Sequence, residues 1–172
     1  MKQSIFEIKS NREIAKNTFE MVLAGDTSAV TAPGQFVNIK LEGFFLRRPI
    51  SICDWDEESL TIIYKTVGQG TGAMAEMKPG ESLDILTGLG NGYNTDAVKE
   101  GDRPVLIGGG AGVPPMYGLA KTLIATGVKP QVILGFNTAE EVFYKDEFEK
   151  LGVDLYIATA DGSIGTKGFV TM

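Results

Sequence analysis

A chain of 172 residues, with 43% apolar and 22% charged side chains, permits one large or two small folded domains and is too apolar for a disordered segment. It has no histidine and a single cysteine, Cys53, which excludes Ser-His triads, histidine metal sites, an intrachain disulfide and an ordinary four-thiolate iron–sulfur cluster held by this chain alone. The net charge of −6 argues against nucleic acid as a partner; no apolar run approaches a membrane span, and the N-terminus lacks the apolar core of a signal peptide, so a cytoplasmic protein is expected.

The first half reads as strands. Residues 4–10, 18–23 and 35–41 carry strand-like patterns, the last with strict period-two alternation after the Pro33-Gly34 turn. Residues 49–54 form a fourth segment that opens on proline, a position strands tolerate. Residues 59–65 are rich in β-branched and aromatic side chains, and residues 81–86 follow the Pro79-Gly80 turn. Such a series of short strands, with a small helix inserted after Gly72, predicts a closed antiparallel barrel. Cys53 follows an apolar run with no neighbouring cation and is expected to be a buried structural thiol.

The pattern then changes. Residues 87–94 are glycine-rich, and the polar junction at 99–103 is taken as the domain boundary, with a barrel in 1–98 and an α/β unit in 99–172. Residues 104–107 read as a continuous apolar strand of a parallel sheet covered on both faces. Met116, Leu119, Ala120, Leu123 and Ile124 define one apolar helix face that stops before Gly127. Residues 131–136 give the second strand. Thr138 to Glu141 has capping-box spacing and is expected to open the next helix, which ends near Leu151-Gly152. Residues 154–159 give the third strand. Three strands make an incomplete nucleotide-binding sheet, so the chain is expected to be a fragment of a longer protein.

Two stretches carry phosphate chemistry. In Arg47-Arg48-Pro49-Ile50-Ser51, adjacent arginines stand beside apolar residues, where a planar, always-charged donor group is costly unless an anion meets it. In Gly68-Gln69-Gly70-Thr71-Gly72, a glycine loop opens a helix whose free N–H groups attract an anion. Each alone reads equally as a surface arginine pair and an ordinary turn; together they suggest a pyrophosphate site. A third loop, Gly108-Gly109-Gly110-Ala111-Gly112-Val113-Pro114-Pro115, joins a strand to a helix as a dinucleotide loop requires, without the full G-x-G-x-x-G spacing. A tight strand–helix turn without a ligand is the alternative.

Arg48-Pro49-Ile50-Ser51, followed by Ile63-Tyr64-Lys65-Thr66-Val67-Gly68-Gln69-Gly70-Thr71, resembles the flavin-binding signature of the ferredoxin reductase superfamily. The Arg-Pro-Ile-Ser form is similar to that of the electron-transfer subunits of dihydroorotate dehydrogenase B, and the resemblance runs over essentially the whole chain. It implies FAD held by Arg48, Pro49, Ile50, Ser51, Ile63, Tyr64, Lys65, Gly70 and Thr71. Arg48 would lie on the pyrophosphate, Ser51 near the reactive flavin nitrogen, and Gly70 and Thr71 would offer N–H groups and a hydroxyl. It implies NAD at Gly108, Gly109, Gly110, Gly112, Pro115 and Asp161. With no arginine in residues 104–172 to meet a 2′-phosphate, NAD is expected over NADP.

No catalytic side chain and no metal ligand is expected, because the chemistry is the flavin's. The resemblance further implies an FMN-containing catalytic partner subunit in a heterotetramer, and a 2Fe-2S cluster in the full-length family that this chain does not ligate. Two other readings stay open: the small flavin subunit of a ferredoxin–NAD(P) oxidoreductase or sulfide dehydrogenase, and a non-catalytic nucleotide-sensing module on the same scaffold.

Overall fold

The computed structural model describes residues 1–171. Six strands close into an antiparallel barrel in the order β1-β2-β5-β4-β3-β6: β1 (Lys2–Ala15), β2 (Thr18–Ala24), β3 (Phe36–Lys40), β4 (Arg48–Trp55), β5 (Ser59–Lys65) and β6 (Ser82–Leu89). The first strand is longer than its sequence pattern suggested, because it serves two neighbours. Its start pairs with β6 (Ile5 opposite Asp84), and after an irregularity near Ile8 its end pairs with β2 (Asn11 opposite Met21). Alternate side chains, among them Phe6, Met21, Val37, Ile39, Ile62 and Ile85, fill the interior. Helix α1 (Gln69–Glu76) lies between β5 and β6 and buries Met74 in the same core. Asn11 Nδ2 donates to the Met74 and Met77 carbonyls at 2.8 and 3.0 Å, satisfying the end of that helix.

The second unit is a parallel sheet in the order β10-β9-β8-β7, with β7 (Val105–Gly109), β8 (Gln131–Phe136), β9 (Asp154–Thr159) and β10 (Thr166–Lys167), together with helices α2 (Val113–Ala125) and α3 (Lys145–Lys150). Three points differ from the sequence reading. The sheet has four strands, because a short strand pairs Thr166 and Lys167 with Ala158 and Thr159; two residues carry no periodicity to read. Strand β7 is covered on one face among the described residues: Leu106 is buried, whereas Val105 and Ile107 are each 49% exposed, with Ile107, Ile133 and Tyr156 in register on the open side.

The third difference is at Thr138. Residues Ala139–Glu141 form a single 3-10 turn, and the helix starts only at Lys145, after Tyr144 in the left-handed region (φ 60°). The capping box fails because its acids are taken elsewhere: Glu140 pairs with Lys16 at 2.7 Å and Glu141 with Lys65 at 2.8 Å, both on the barrel. The Thr138 hydroxyl is buried without a partner among the described residues.

The two units meet along β4 and α2. Ile52 points into the barrel, while its neighbour Cys53 joins the core of the α/β unit with Val113, Leu119 and Leu123. Lys121 of α2 reaches Asp54 at 2.6 Å over this contact. Gly118 lets the helix approach: a Cβ there would lie 2.8 Å from the Cys53 carbonyl oxygen.

Candidate functional site

The paired arginines have different surroundings. Arg47 is tied down: its guanidinium pairs with the Asp84 carboxylate at 3.0 Å and donates to the Asn38 and Asp84 carbonyls at 3.2 and 3.0 Å, across β3 and β6. Arg48 meets no carboxylate among the described residues. It donates to the Leu46 carbonyl and lies over the Phe44 ring, 5.0 Å from its centroid. Its head group covers the start of α1 so closely that a Cβ on Gly70 would sit 2.1 Å from Arg48 Nε. A permanent positive charge thus stands against a helix N-terminus, whose first-turn N–H groups have no intrahelical partners. Two like-signed fields converge on one spot, which suits an anion.

Thr71 contributes differently from the sequence reading. Its hydroxyl oxygen accepts from the Val67 and Gly68 N–H groups at 3.0 and 3.3 Å, and the hydroxyl donates to the Gly68 carbonyl at 3.2 Å. The hydroxyl is thereby used to shape the loop, leaving backbone N–H groups to face an anion.

Strand β5 leads from this cradle into a cleft between the units. Of the residues singled out there, Tyr64 points into the barrel, stacked on Phe19 with centroids 5.8 Å apart, and its hydroxyl donates to Asn11 Oδ1 at 2.8 Å. Burial pushes this phenol up to about 12, so it stays protonated near neutral pH and its hydroxyl is committed to Asn11. Ile63 packs into the α/β core. Pairing of Ile52 with Ile62 sets half-buried Ser51 beside the Ile63 and Lys65 end of β5, with exposed Pro49 and half-buried Ile50 further along β4.

Lys65 stands at the cleft itself, which holds about 350 Å³ and is lined also by Gly109, Gly110, Gly135, Phe136 and Glu141. A narrow apolar slot adjoins it, walled by Ile63, Pro114, Phe136 and Phe143. Glu141 accepts from Lys65 Nζ at 2.8 Å and from Asn137 Nδ2 at 3.0 Å, and the lysine holds its carboxyl below the usual range.

The glycine loop divides by role. Gly109 and Gly110 line the cleft, and Gly110 is in the left-handed region at φ 51°. Gly108 serves packing, since a Cβ there would meet the Gly112 carbonyl oxygen at 2.7 Å. Gly112 caps α2 and Pro115 is buried in its first turn. Asp161 lies outside the cleft lining: its carboxylate accepts from the Ser163 N–H at 2.9 Å and hydroxyl at 2.6 Å, and these bonds lower its pKa. Phe44, Gly135, Phe136, Asn137 and Glu141 complete the site without having been foreseen. No local signal pointed to them, since glutamates after a strand end are as readily solvated as paired and the partner lysines lie across the seam.

Comparison with known proteins gives the family and the fold. No family model matches the chain. The dihydroorotate dehydrogenase B (NAD(+)) electron transfer subunit of Geobacillus sp. (strain WCH70) is 48% identical over 99% of this chain and 68% of its own length. That of Fusobacterium nucleatum subsp. nucleatum is 47% identical over 95% of this chain and 65% of its own. The chain therefore spans about two thirds of the length of these relatives. Among solved structures, an NADH-dependent reduced ferredoxin-NADP oxidoreductase, described for flavin-based electron bifurcation, superposes with a TM-score of 0.85 at 30% identity, covering 98% of this chain and 61% of that one. The ferredoxin reductase of carbazole 1,9a-dioxygenase shares the fold at 20% identity and a TM-score of 0.84. On the curated relatives' identity and coverage, the chain belongs to the family of dihydroorotate dehydrogenase B electron transfer subunits.

Proposed function

We propose that this chain is the flavin-carrying part of an oxidoreductase subunit that delivers electrons from a dihydroorotate dehydrogenase catalytic subunit to NAD⁺ in pyrimidine biosynthesis. In this reading the electrons leave FMN on the partner subunit of a cytoplasmic heterotetramer and cross a 2Fe-2S cluster that this chain does not ligate. They then reach FAD in the barrel unit, residues 1–98, next to the NAD unit that begins at 99. The observation that carries the reading is the Arg48–Gly70 cradle, found in a chain 48% identical to a subunit of that name.

The residues present fit the two cofactors. Arg48 and the first-turn N–H groups of α1 would hold a pyrophosphate, with Pro49, Ile50 and Ser51 continuing along β4 and, on β5, Lys65 by its side chain and Ile63 and Tyr64, whose side chains are buried, by their backbone. At Gly109 and Gly110 the cleft is bounded by backbone without side chains, which would let a dinucleotide approach closely, whereas Gly135 lies against Val170, whose Cγ1 would be 2.5 Å from a Cβ there. Gly108, Gly112 and Pro115 would shape that loop; NAD is favoured over NADP because residues 104–172 hold no arginine to meet a 2′-phosphate, while Asp161 lies outside the cleft. Bound FAD supplies the chemistry, exchanging a hydride with nicotinamide and single electrons with an iron centre. The chain orients the two cofactors, excludes water from the apolar slot, and holds the Lys65 and Glu141 charges in mutual balance.

The test is reconstitution of the full-length protein with a dihydroorotate dehydrogenase catalytic subunit. Stoichiometric flavin and dihydroorotate-dependent NADH formation are expected. Flavin without any dihydroorotate-dependent reduction would overturn the reading in favour of a second one, the flavin subunit of a ferredoxin–NAD(P) oxidoreductase, which the 0.85 TM-score superposition favours. Ferredoxin-dependent NAD(P)H formation would identify that alternative.

A further inference from the structure

The segment that leaves β8, residues 137–145, straps the α/β unit to the barrel at three points. The Lys16 N–H donates to the Glu140 carbonyl at 3.0 Å, with their side chains paired at 2.7 Å. Lys65 pairs with Glu141 at 2.8 Å. The Tyr144 hydroxyl donates to Glu20 Oε2 on β2 at 2.7 Å. The first pair is well exposed on both sides and so is screened.

The Tyr144 contact differs in kind. Glu20 is only 7% exposed, and Arg12 grips its other oxygen through Nε at 2.9 Å and a terminal nitrogen at 2.7 Å, so the carboxylate is fixed in place. Tyr144 has a left-handed backbone (φ 60°, ψ 14°) that a residue with a Cβ seldom adopts. Its ring is held edge-on by Tyr117 of α2, with centroids 5.1 Å apart, and its phenol lies beside the buried Cys53 thiol of β4. Helix α3, which Tyr144 precedes, gains no side-chain cap from it. Within the α/β unit the ring packs on Tyr117 and Phe143, while the hydroxyl makes its contact across the seam. The same strap supplies Asn137 and Glu141 to the cleft, and Phe143 to the apolar slot.

We propose that Tyr144 is a positioning residue. Its hydrogen bond to Glu20 sets the cleft wall formed by residues 136–143 in register over β5, and so sets how nicotinamide meets the flavin. This rests on the FAD–NAD reading above, in which a displacement of the order of an ångström is enough to slow hydride transfer strongly.

The experiment uses the full-length, flavin-loaded protein and two variants, Tyr144→Phe and Glu20→Gln. Stopped-flow reduction by NADH gives the limiting rate per bound flavin. Iodoacetamide labelling of Cys53, followed by peptide mass analysis, reports opening of the seam independently of activity. Tyr144→Phe keeps the ring and loses the hydroxyl: the limiting rate should fall about tenfold or more and Cys53 should label about tenfold faster, with flavin content unchanged. Glu20→Gln keeps an oxygen to accept the Tyr144 hydroxyl and should fall between the two. If Tyr144→Phe does not fold, Glu20→Ala, which removes the acceptor of the Tyr144 hydroxyl, gives both readouts. Unchanged rate and unchanged Cys53 protection in the folded variants would overturn the proposal, as would flavin loss with an unchanged rate per bound flavin. Failure of NADH to reduce the unaltered protein would remove the electron-transfer reading, and Cys53 labelling would still decide whether Tyr144 holds the seam.

Discussion

The Arg48 guanidinium fills the space a side chain at Gly70 would need, with its Nε 2.1 Å from where the Cβ would stand. Gly70 is therefore the position that lets the cation rest on the helix start, and the two residues make one cradle. Gly70→Ala should lift Arg48 away and weaken flavin binding although alanine favours the helix by about 1 kcal/mol. Arg48→Ala should remove a charge-assisted contact of about 1.5–3 kcal/mol, roughly ten- to a hundredfold in FAD affinity. Fluorescence titration of apoprotein with FAD measures both; wild-type affinity in either variant would dissociate Arg48 from the flavin.

Arg47 should behave in the opposite way. Its guanidinium spans β3 and β6 through Asp84 and two backbone carbonyls, and both side chains of the pair are 22% exposed. Arg47→Ala leaves these acceptors unpaired and should cost about 1–3 kcal/mol of stability, with FAD affinity changed less than threefold in whatever protein remains folded. Thermal unfolding and flavin titration on the same sample separate the effects. A variant as stable as wild type but unable to hold FAD would exchange the roles assigned to the two arginines.

The barrel was legible in the sequence because Gln35 to Leu41 alternates with period two and Ser59 to Lys65 is rich in β-branched and aromatic side chains. The β-α-β order of the second unit was legible from apolar runs and Gly127, which takes φ 83° beyond α2. The rest depended on contacts between distant residues. Nothing in Arg47-Arg48 says which arginine Asp84 will hold, since that partner arrives from β6. Glu140 and Glu141 looked like cap acids because local spacing cannot show Lys16 and Lys65 across the seam. The open face of β7 escaped notice because an apolar run reads the same whether one face or both are covered.

The Lys65–Glu141 pair gives the seam a pH dependence. Lys65, then Asn137, lowers the Glu141 pKa, and the side chains of the pair are 33% and 18% exposed. A carboxylate whose folded pKa is depressed stabilises the fold above its ordinary range and ceases to do so as pH falls through the depressed value. Glu141→Gln should thus lower stability by about 1 kcal/mol near neutrality. The gap from wild type should begin to close below the ordinary glutamate pKa of about 4.3 and be lost as pH falls through the lower value of the folded protein. Thermal unfolding of both proteins across that range tests the sign: a gap that widens on acidification would contradict it.

The seam should also be sensitive at Gly118, where no ligand is involved. A Cβ at this position lies 2.8 Å from the Cys53 carbonyl oxygen and 3.4 Å from the Trp55 ring, and the nearer atom is backbone that cannot turn aside. Two effects oppose each other in Gly118→Ala. Helix propensity favours alanine by about 1 kcal/mol, while overpacking costs about 1–3 kcal/mol. The net loss is expected to be small for alanine and clear for Gly118→Val, whose extra methyl groups and branched Cβ offer no compensating gain. For a protein of this size the valine variant should unfold about 4–8 °C lower, taking a loss of about 2 kcal/mol. Because the clash forces α2 off β4, Cys53 should lose protection from iodoacetamide in the same variant. A Gly118→Val protein with wild-type stability and a wild-type labelling rate would show that α2 does not seat on β4 as closely as Gly118 and Cys53 imply.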